Sequence, residues 1–248
     1  MRQEQEKNQS TYDGLLLVDK PQEWTSHDVC DFLRRTFHFK KVGHAGTLDP
    51  MATGLLIMLI GRATKRSNDL LGLDKSYEGT IELGVKTDTH DRKGKVIEEK
   101  EWSHISLEEV QSKIEHFTGD LLQVPPMVSA LKHKGQRLYK LARKGQEVER
   151  EARPVKVYRF DLHQMKDQFI DFAVTVSKGT YVRTLANDLG EELGTVATLS
   201  ALRRTTIGSY QVDKSLTVDD LKKMSIEEVK THMIPMSQII SNACHSPS

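Results

Sequence analysis

Gly43-His44-Ala45-Gly46-Thr47-Leu48-Asp49-Pro50-Met51-Ala52-Thr53-Gly54 runs straight into Leu55-Leu56-Ile57-Met58-Leu59-Ile60. A glycine-rich loop therefore feeds a continuous apolar run, the pattern of a strand buried on both faces. Gly43, Gly46 and Gly54 allow backbone conformations, or a close approach, that a side chain forbids. Pro50 fixes its own φ and turns Asp49 away from helix. The reading is a shaped loop that holds Asp49 against a buried strand, a common way to present one reactive group. The plainer alternative is an ordinary turn aspartate before a proline. The loop matches neither the phosphate-cradling P-loop nor the dinucleotide fingerprint, so no nucleotide cofactor is indicated.

Apolar residues alternate or recur along much of the rest of the chain. Leu15-Leu16-Leu17-Val18 reads as a buried strand. Ser26 is the expected N-cap of a helix carrying Val29, Phe32, Leu33 and Phe37. Tyr77, Gly79, Ile81, Leu83 and Val85 alternate with polar residues as in a half-buried strand. Thr87–Gly94 reads as a polar turn. Ser106-Leu107-Glu108-Glu109 opens a helix reaching Phe117, and Val124-Pro125-Pro126 interrupts regular structure. Gln136–Lys144 reads as a short basic helix or turn. Val155, Val157 and Tyr158 suggest a strand, followed by alternation through Ile170, Phe172, Val174 and Val176. A helix is expected from Thr180, ending at Gly194. Thr217-Val218-Asp219-Asp220 and Ser225-Ile226-Glu227-Glu228 each open a short helix. Hairpin-like strand successions mixed with helices argue an α+β fold around a mostly antiparallel sheet. Residues 1–12 read as a disordered tail and 241–248 as a frayed end, leaving 13–240 as one domain.

The 248 residues can bury a sizeable core in one large domain or two joined halves. No apolar run reaches the roughly 18 residues of a membrane span, and no secretory leader is visible. Cys30 and Cys244 have neither a disulfide framework nor metal-ligand spacing, so no metal is expected and a reducing cytoplasm is the simplest compartment. The net charge of +1 does not mark a nucleic-acid binder, and its distribution says more. Between Leu131 and Phe160, ten Lys and Arg face three Glu, enough to neutralise phosphates. A solvated charged face is the competing reading of that block.

The segment Lys41–Leu56 resembles the signature of the TruB family of pseudouridine synthases. Further blocks agree in order: Lys75-Ser76-Tyr77-Glu78-Gly79-Thr80, Leu83–Thr89, Val124–Lys132, Gly135–Arg143, Ser177–Ala186 and Leu202-Arg203-Arg204-Thr205. The similarity runs from about Gly14 to about Ile240. It implies the pseudouridine synthase fold, a mostly antiparallel mixed sheet in two halves with flanking helices and a central cleft. It implies an isomerase that needs no cofactor and acts on the T-arm of tRNA, at the uridine that becomes pseudouridine-55. It further implies a monomer without an obligatory protein partner; members usually carry a C-terminal PUA module, and this sequence departs from that pattern as an expected short form without one.

Roles follow from the same resemblance. Asp49 is the nucleophile, with Arg183 as its partner. Tyr77 stacks on the flipped uracil and exchanges the C5 proton. Tyr181 and Leu202 wall the pocket, while Lys20 and Lys65 are supporting cations. His44 enters the RNA loop, and the basic block, with Lys132 and Arg137, follows the backbone. A non-catalytic RNA-binding or RNA-folding protein on the same scaffold is the alternative. An Asp in an RNA cleft repels phosphate, so its retention beside Tyr77, Tyr181 and Arg183 favours the enzyme. A guide-RNA-dependent relative is disfavoured by the missing module, and a glycosidase would need a second carboxylate.

Overall fold

The computed structural model describes residues 12–239 except Ala130, Lys134, Arg143 and Lys144; for Lys132, His133, Arg137, Tyr139 and Lys140 it describes the backbone. The chain forms two compact units, one built from Met1–Leu73 with Arg203–Ser248, the other from Asp74–Leu202. The sequence expectation of one domain over 13–240 stands beside this division into two units. The expected tails lie outside the described residues except for Tyr12, which is corrected to part of the fold. Its ring meets Phe39 edge-on at 5.7 Å, and its hydroxyl donates to Glu227.

The first unit begins with β1 (Gly14–Lys20), α1 (Ser26–Phe37), β2 (Val42–Ala45), β3 (Thr53–Ile60) and α2 (Ser67–Leu71). The second holds β4 (Lys75–Leu83), β5 (Val85–Thr87), β6 (Val96–Glu99), α3 (Leu107–Glu115) and β7 (Gly119–Gln123). It continues with β8 (Lys132–His133), β9 (Gln136–Arg137), α4 (Leu138–Ala142), β10 (Arg153–Lys166), β11 (Phe169–Val176) and α5 (Val182–Glu192). Strand β12 (Ala197–Ile207) begins in the second unit and ends in the first. The first unit closes with β13 (Tyr210–Gln211), β14 (Leu216–Thr217), α6 (Val218–Leu221), α7 (Ile226–Thr231) and β15 (Ile234–Pro235).

In the first unit β1 and β3 run antiparallel, with Leu17 opposite Ile57. Strand β2 pairs antiparallel with β3, and the end of β12 pairs parallel with its start. The apolar run is buried on both faces, as expected: Leu55, Ile57 and Leu59 join Leu15, Leu17, Leu70 and Ile207 in one core, and Leu56 and Met58 are sealed too. Each such side chain contributes about 1.5–3 kcal/mol of transfer free energy. In the second unit the order is β12-β4-β11-β10-β7, and β4, β11, β10 and β7 pair antiparallel in turn. The mixed, mainly antiparallel α+β architecture is the one the sequence predicts.

Three local expectations shift. The N-cap of α1 is Thr25, whose side chain accepts from the Asp28 amide while Asp28 returns to Thr25 N. Asp28 completes a capping box with Thr25, so Ser26 is left free for another task. Helix α5 starts at Val182, because Thr180 spends its hydroxyl on the Ser177 carbonyl and Tyr181 stays extended. Strand β10 continues well past Tyr158 to Lys166 and turns into β11 through Asp167 at φ +51. Register shifts at Val157/Arg159 and Leu162/Gln164 break its alternation, which hides the strand's length in the sequence.

Candidate active site

Asp49 sits half-buried on the loop between β2 and β3. That loop is held on both sides of it. Ser26 Oγ accepts from the Leu48 amide at 2.9 Å and lies 3.3 Å from the Leu48 carbonyl, to which it donates. The Glu23 amide donates to the Pro50 carbonyl at 2.8 Å, and the Ala52 amide to the Asp49 carbonyl at 3.1 Å. Two of the three glycines are needed for their geometry. Gly46 has φ +90 and Gly54 has φ +100. A Cβ at Gly54 would lie 2.3 Å from the Arg204 carbonyl oxygen, so the β3–β12 crossing requires glycine there. Gly43 is corrected: it lies in β2, and a Cβ would meet only Thr64 at an ordinary 3.6 Å.

Lys20 joins this loop. Its side chain is sealed from solvent, and Nζ donates to the carbonyls of Trp24 at 2.7 Å, Pro21 at 2.9 Å and Pro50 at 3.4 Å. Burial pushes its ammonium down from 10.5 to about 8; the Asp49 carboxylate opposes the fall and the Arg204 cation adds to it. The unfolded chain therefore binds more protons than the folded one between those two values, and this group makes stability rise with pH across that window. Measured by denaturant titration, the stability of the wild type relative to Lys20→Met should increase from pH 8 to 10.5. A flat or falling difference would show that Lys20 is not depressed.

The second unit holds Tyr77, Tyr181, Arg183 and Leu202. Arg183 is buried at the start of α5. Its Nη1 donates to the Thr89 carbonyl at 2.8 Å, its Nη2 to the Val128 carbonyl at 3.0 Å, and Asp91 Oδ2 lies 3.5 Å from Nη1. Beside it, burial and then the charges of Arg183, Lys86 and Arg150 push the His90 imidazole down to about 4, so it is neutral at physiological pH. Tyr181 caps α5 through its backbone. Its amide donates to Gln123 Oε1 at 2.8 Å, and its carbonyl accepts from Gln123 Nε2 at 3.1 Å. Gln123 is itself buried, so Gln123→Glu should cost about 1–3 kcal/mol by opposing a carboxylate to that carbonyl, lowering Tm by several degrees. An unchanged Tm would deny the clamp. Tyr77 is buried on β4 opposite Val174, and Leu202 is buried on β12.

His44 lies half-buried on β2 opposite Met58, and Lys65 is exposed on the turn 61–66. Lys132 pairs with Arg137 through the backbone of β8 and β9; their side chains lie outside the description. Among the expected residues, the first unit brings Lys20 to the Asp49–Pro50 segment, and the second places Tyr181 beside Arg183 at the head of α5. Sequence reading assigns no role to Gln123, Asp91 or Arg204. Gln123 directly precedes the Val124-Pro125-Pro126 block, and Arg204 lies inside a matched block, which are the available signals. Among the described residues no group of three or more His, Cys, Asp or Glu could hold a metal, and no helix is long and apolar enough to cross a membrane.

Two family models match consecutive parts of the chain. Residues 34–182 match the TruB family pseudouridylate synthase N-terminal domain, and residues 183–241 match the tRNA pseudouridylate synthase B C-terminal domain. The tRNA pseudouridine synthase B of Opitutus terrae is 49% identical over 226 residues, covering 91% of this chain and 94% of that protein. The protein of the same name from Clostridium tetani is 43% identical over 228 residues, covering 92% and 78%. Among solved structures, a chain of a Cbf5-Nop10-Gar1 complex superposes with a TM-score of 0.71 at 26% identity, covering 91% of this chain and 61% of that one. A chain of an H/ACA RNP bound to a substrate RNA containing 2′-deoxyuridine gives 0.67 at 25% identity, covering 91% and 59%. This chain thus spans about three fifths of the length of those two solved relatives. Matched along both of its family domains and at more than two fifths identity over nine tenths of its length, the chain belongs to the TruB family of pseudouridine synthases.

Proposed function

We propose that this chain isomerises the uridine at position 55 in the T-loop of tRNA to pseudouridine. The observation that carries the reading is the Asp49 loop: one half-buried carboxylate, with hydrogen bonds fixing the backbone on either side, in a chain of this family. The target base leaves its stack, since its reactive atoms are otherwise covered. Asp49 opens the reaction by addition at ribose C1′, by promoting a glycal, or by addition at uracil C6. The C1′–N1 bond breaks, the uracil turns, and a C1′–C5 bond forms. The C5 proton leaves and N1 gains one, so substrate and product are isomers and no oxidant or reductant enters.

Tyr77 stacks on the uracil, and its phenol oxygen is the acid/base group in the relay that carries the C5 proton away and delivers one to N1. Arg183 holds the nucleophilic carboxylate ionised and aimed. Tyr181 and Leu202 wall the base, Lys20 and Lys65 supply supporting positive charge, and His44 fills the space the flipped bases leave. Lys132 and Arg137, within the basic block, neutralise backbone phosphates. The protein works as a monomer with no obligatory protein partner. The test is to incubate unmodified tRNA transcript with the purified protein alone and map the isomerised nucleotide. Product at the T-loop uridine supports the reading; unmodified RNA, or product only elsewhere, overturns it.

A further inference from the structure

We infer that Arg204 is the residue that positions the Asp49 loop, an inference resting on the role proposed for Asp49. Arg204 is among the largest fully buried side chains of the molecule. Its Nε donates to the Leu55 carbonyl at 2.7 Å, its Nη2 to the Gly46 carbonyl at 3.1 Å and its Nη1 to the Thr47 carbonyl at 3.5 Å. Those carbonyls lie on the two strands of chain that enter and leave the loop, with Asp49 between them. The backbone of the same residue presses on Gly54, where only the absence of a Cβ permits the contact. One residue of β12 therefore fixes both ends of the loop, through its guanidinium and through its main chain.

The chemistry of the side chain supports this assignment. A buried guanidinium carries a desolvation cost of several kcal/mol, and an apolar residue of similar size would fill the space without it. Its hydrogen bonds go to loop carbonyls, so the charge serves to set the direction of those backbone groups. The planar fork reaches several acceptors at fixed angles; a lysine ammonium does not. The charge also falls where it is used, because Arg204 and Asp49 both act on Lys20. Ser26 and the Glu23 amide hold the remaining flank, so Arg204 closes the frame around Asp49.

Arg204→Lys and Arg204→Met, with Asp49→Asn alongside, should be compared by single-turnover conversion of a T-arm RNA and by RNA binding. A misplacement of about 1 Å is enough for a loss of about 100-fold in rate. Arg204→Met should show that loss with RNA affinity within about twofold of wild type, and Arg204→Lys should recover only part of it. A folded Arg204→Lys that turns over at the wild-type rate overturns the proposal. Equal losses in binding and rate, or failure of both variants to fold, also overturn it, because Arg204 would then be an RNA contact or a general support. If Asp49→Asn turns over normally, the functional reading fails. If Asp49→Asn is inactive while Arg204→Lys is fast, the positioning role alone fails.

Discussion

Asp49→Asn is expected to abolish pseudouridine formation, with a rate at least about 10⁴-fold below wild type at saturating RNA, as for other nucleophile removals. Asparagine has the shape of aspartate, and the loop's anchors are backbone groups, the Ser26 hydroxyl, Lys20 and Arg204. These anchors hold the backbone on either side of Asp49, and asparagine keeps the size of the side chain, so the fold and RNA affinity should survive. What is lost is the charge proposed to add to carbon. A second consequence is measurable: the Asp49 carboxylate is the largest influence keeping Lys20 protonated, so the variant should titrate Lys20 lower still than about 8. Conversion at the wild-type rate in the variant would remove Asp49 from the chemistry and leave only a loop aspartate.

Tyr77→Phe should retain folding and base stacking yet slow turnover by about 10²–10⁴-fold, the range for a lost general acid–base group. The ring is buried on β4 opposite Val174, and phenylalanine keeps that packing. Removing only the hydroxyl isolates its proton chemistry from the ring's stacking. RNA affinity near wild type with a depressed rate is the expected pair of results. Unimpaired turnover would confine Tyr77 to stacking.

The local grammar of the chain is legible in its residues. The unbroken run Leu55–Ile60 reads as a strand buried on both faces because no solvent face demands a polar residue. The capping pairs at Thr217–Asp220 and Ser225–Glu228 read directly, because the bonds that cap a helix are local in sequence. The catalytic aspartate candidate is also visible, since glycines and a proline at close spacing mark a shaped loop. Arg183 looks like a surface cation by its letters, and only its matched block, Ser177–Ala186, singles it out.

What tertiary structure decides is where polar groups of distant segments find partners. Arg204 lies 155 residues from Asp49 in the chain, and nothing local says that its guanidinium ends on Gly46, Thr47 and Leu55. Gln123 meets Tyr181 across 58 residues, and Asp91 meets Arg183. Ser26 reads as a helix cap because a hydroxyl before a helix usually finds its own turn; here Thr25 and Asp28 satisfy that turn, and the Ser26 hydroxyl goes to Leu48. Periodicity and capping depend on neighbours a few residues apart, so sequence alone determines them. A buried polar atom must be satisfied by whatever the fold brings near, and that choice exists only once the chain has folded.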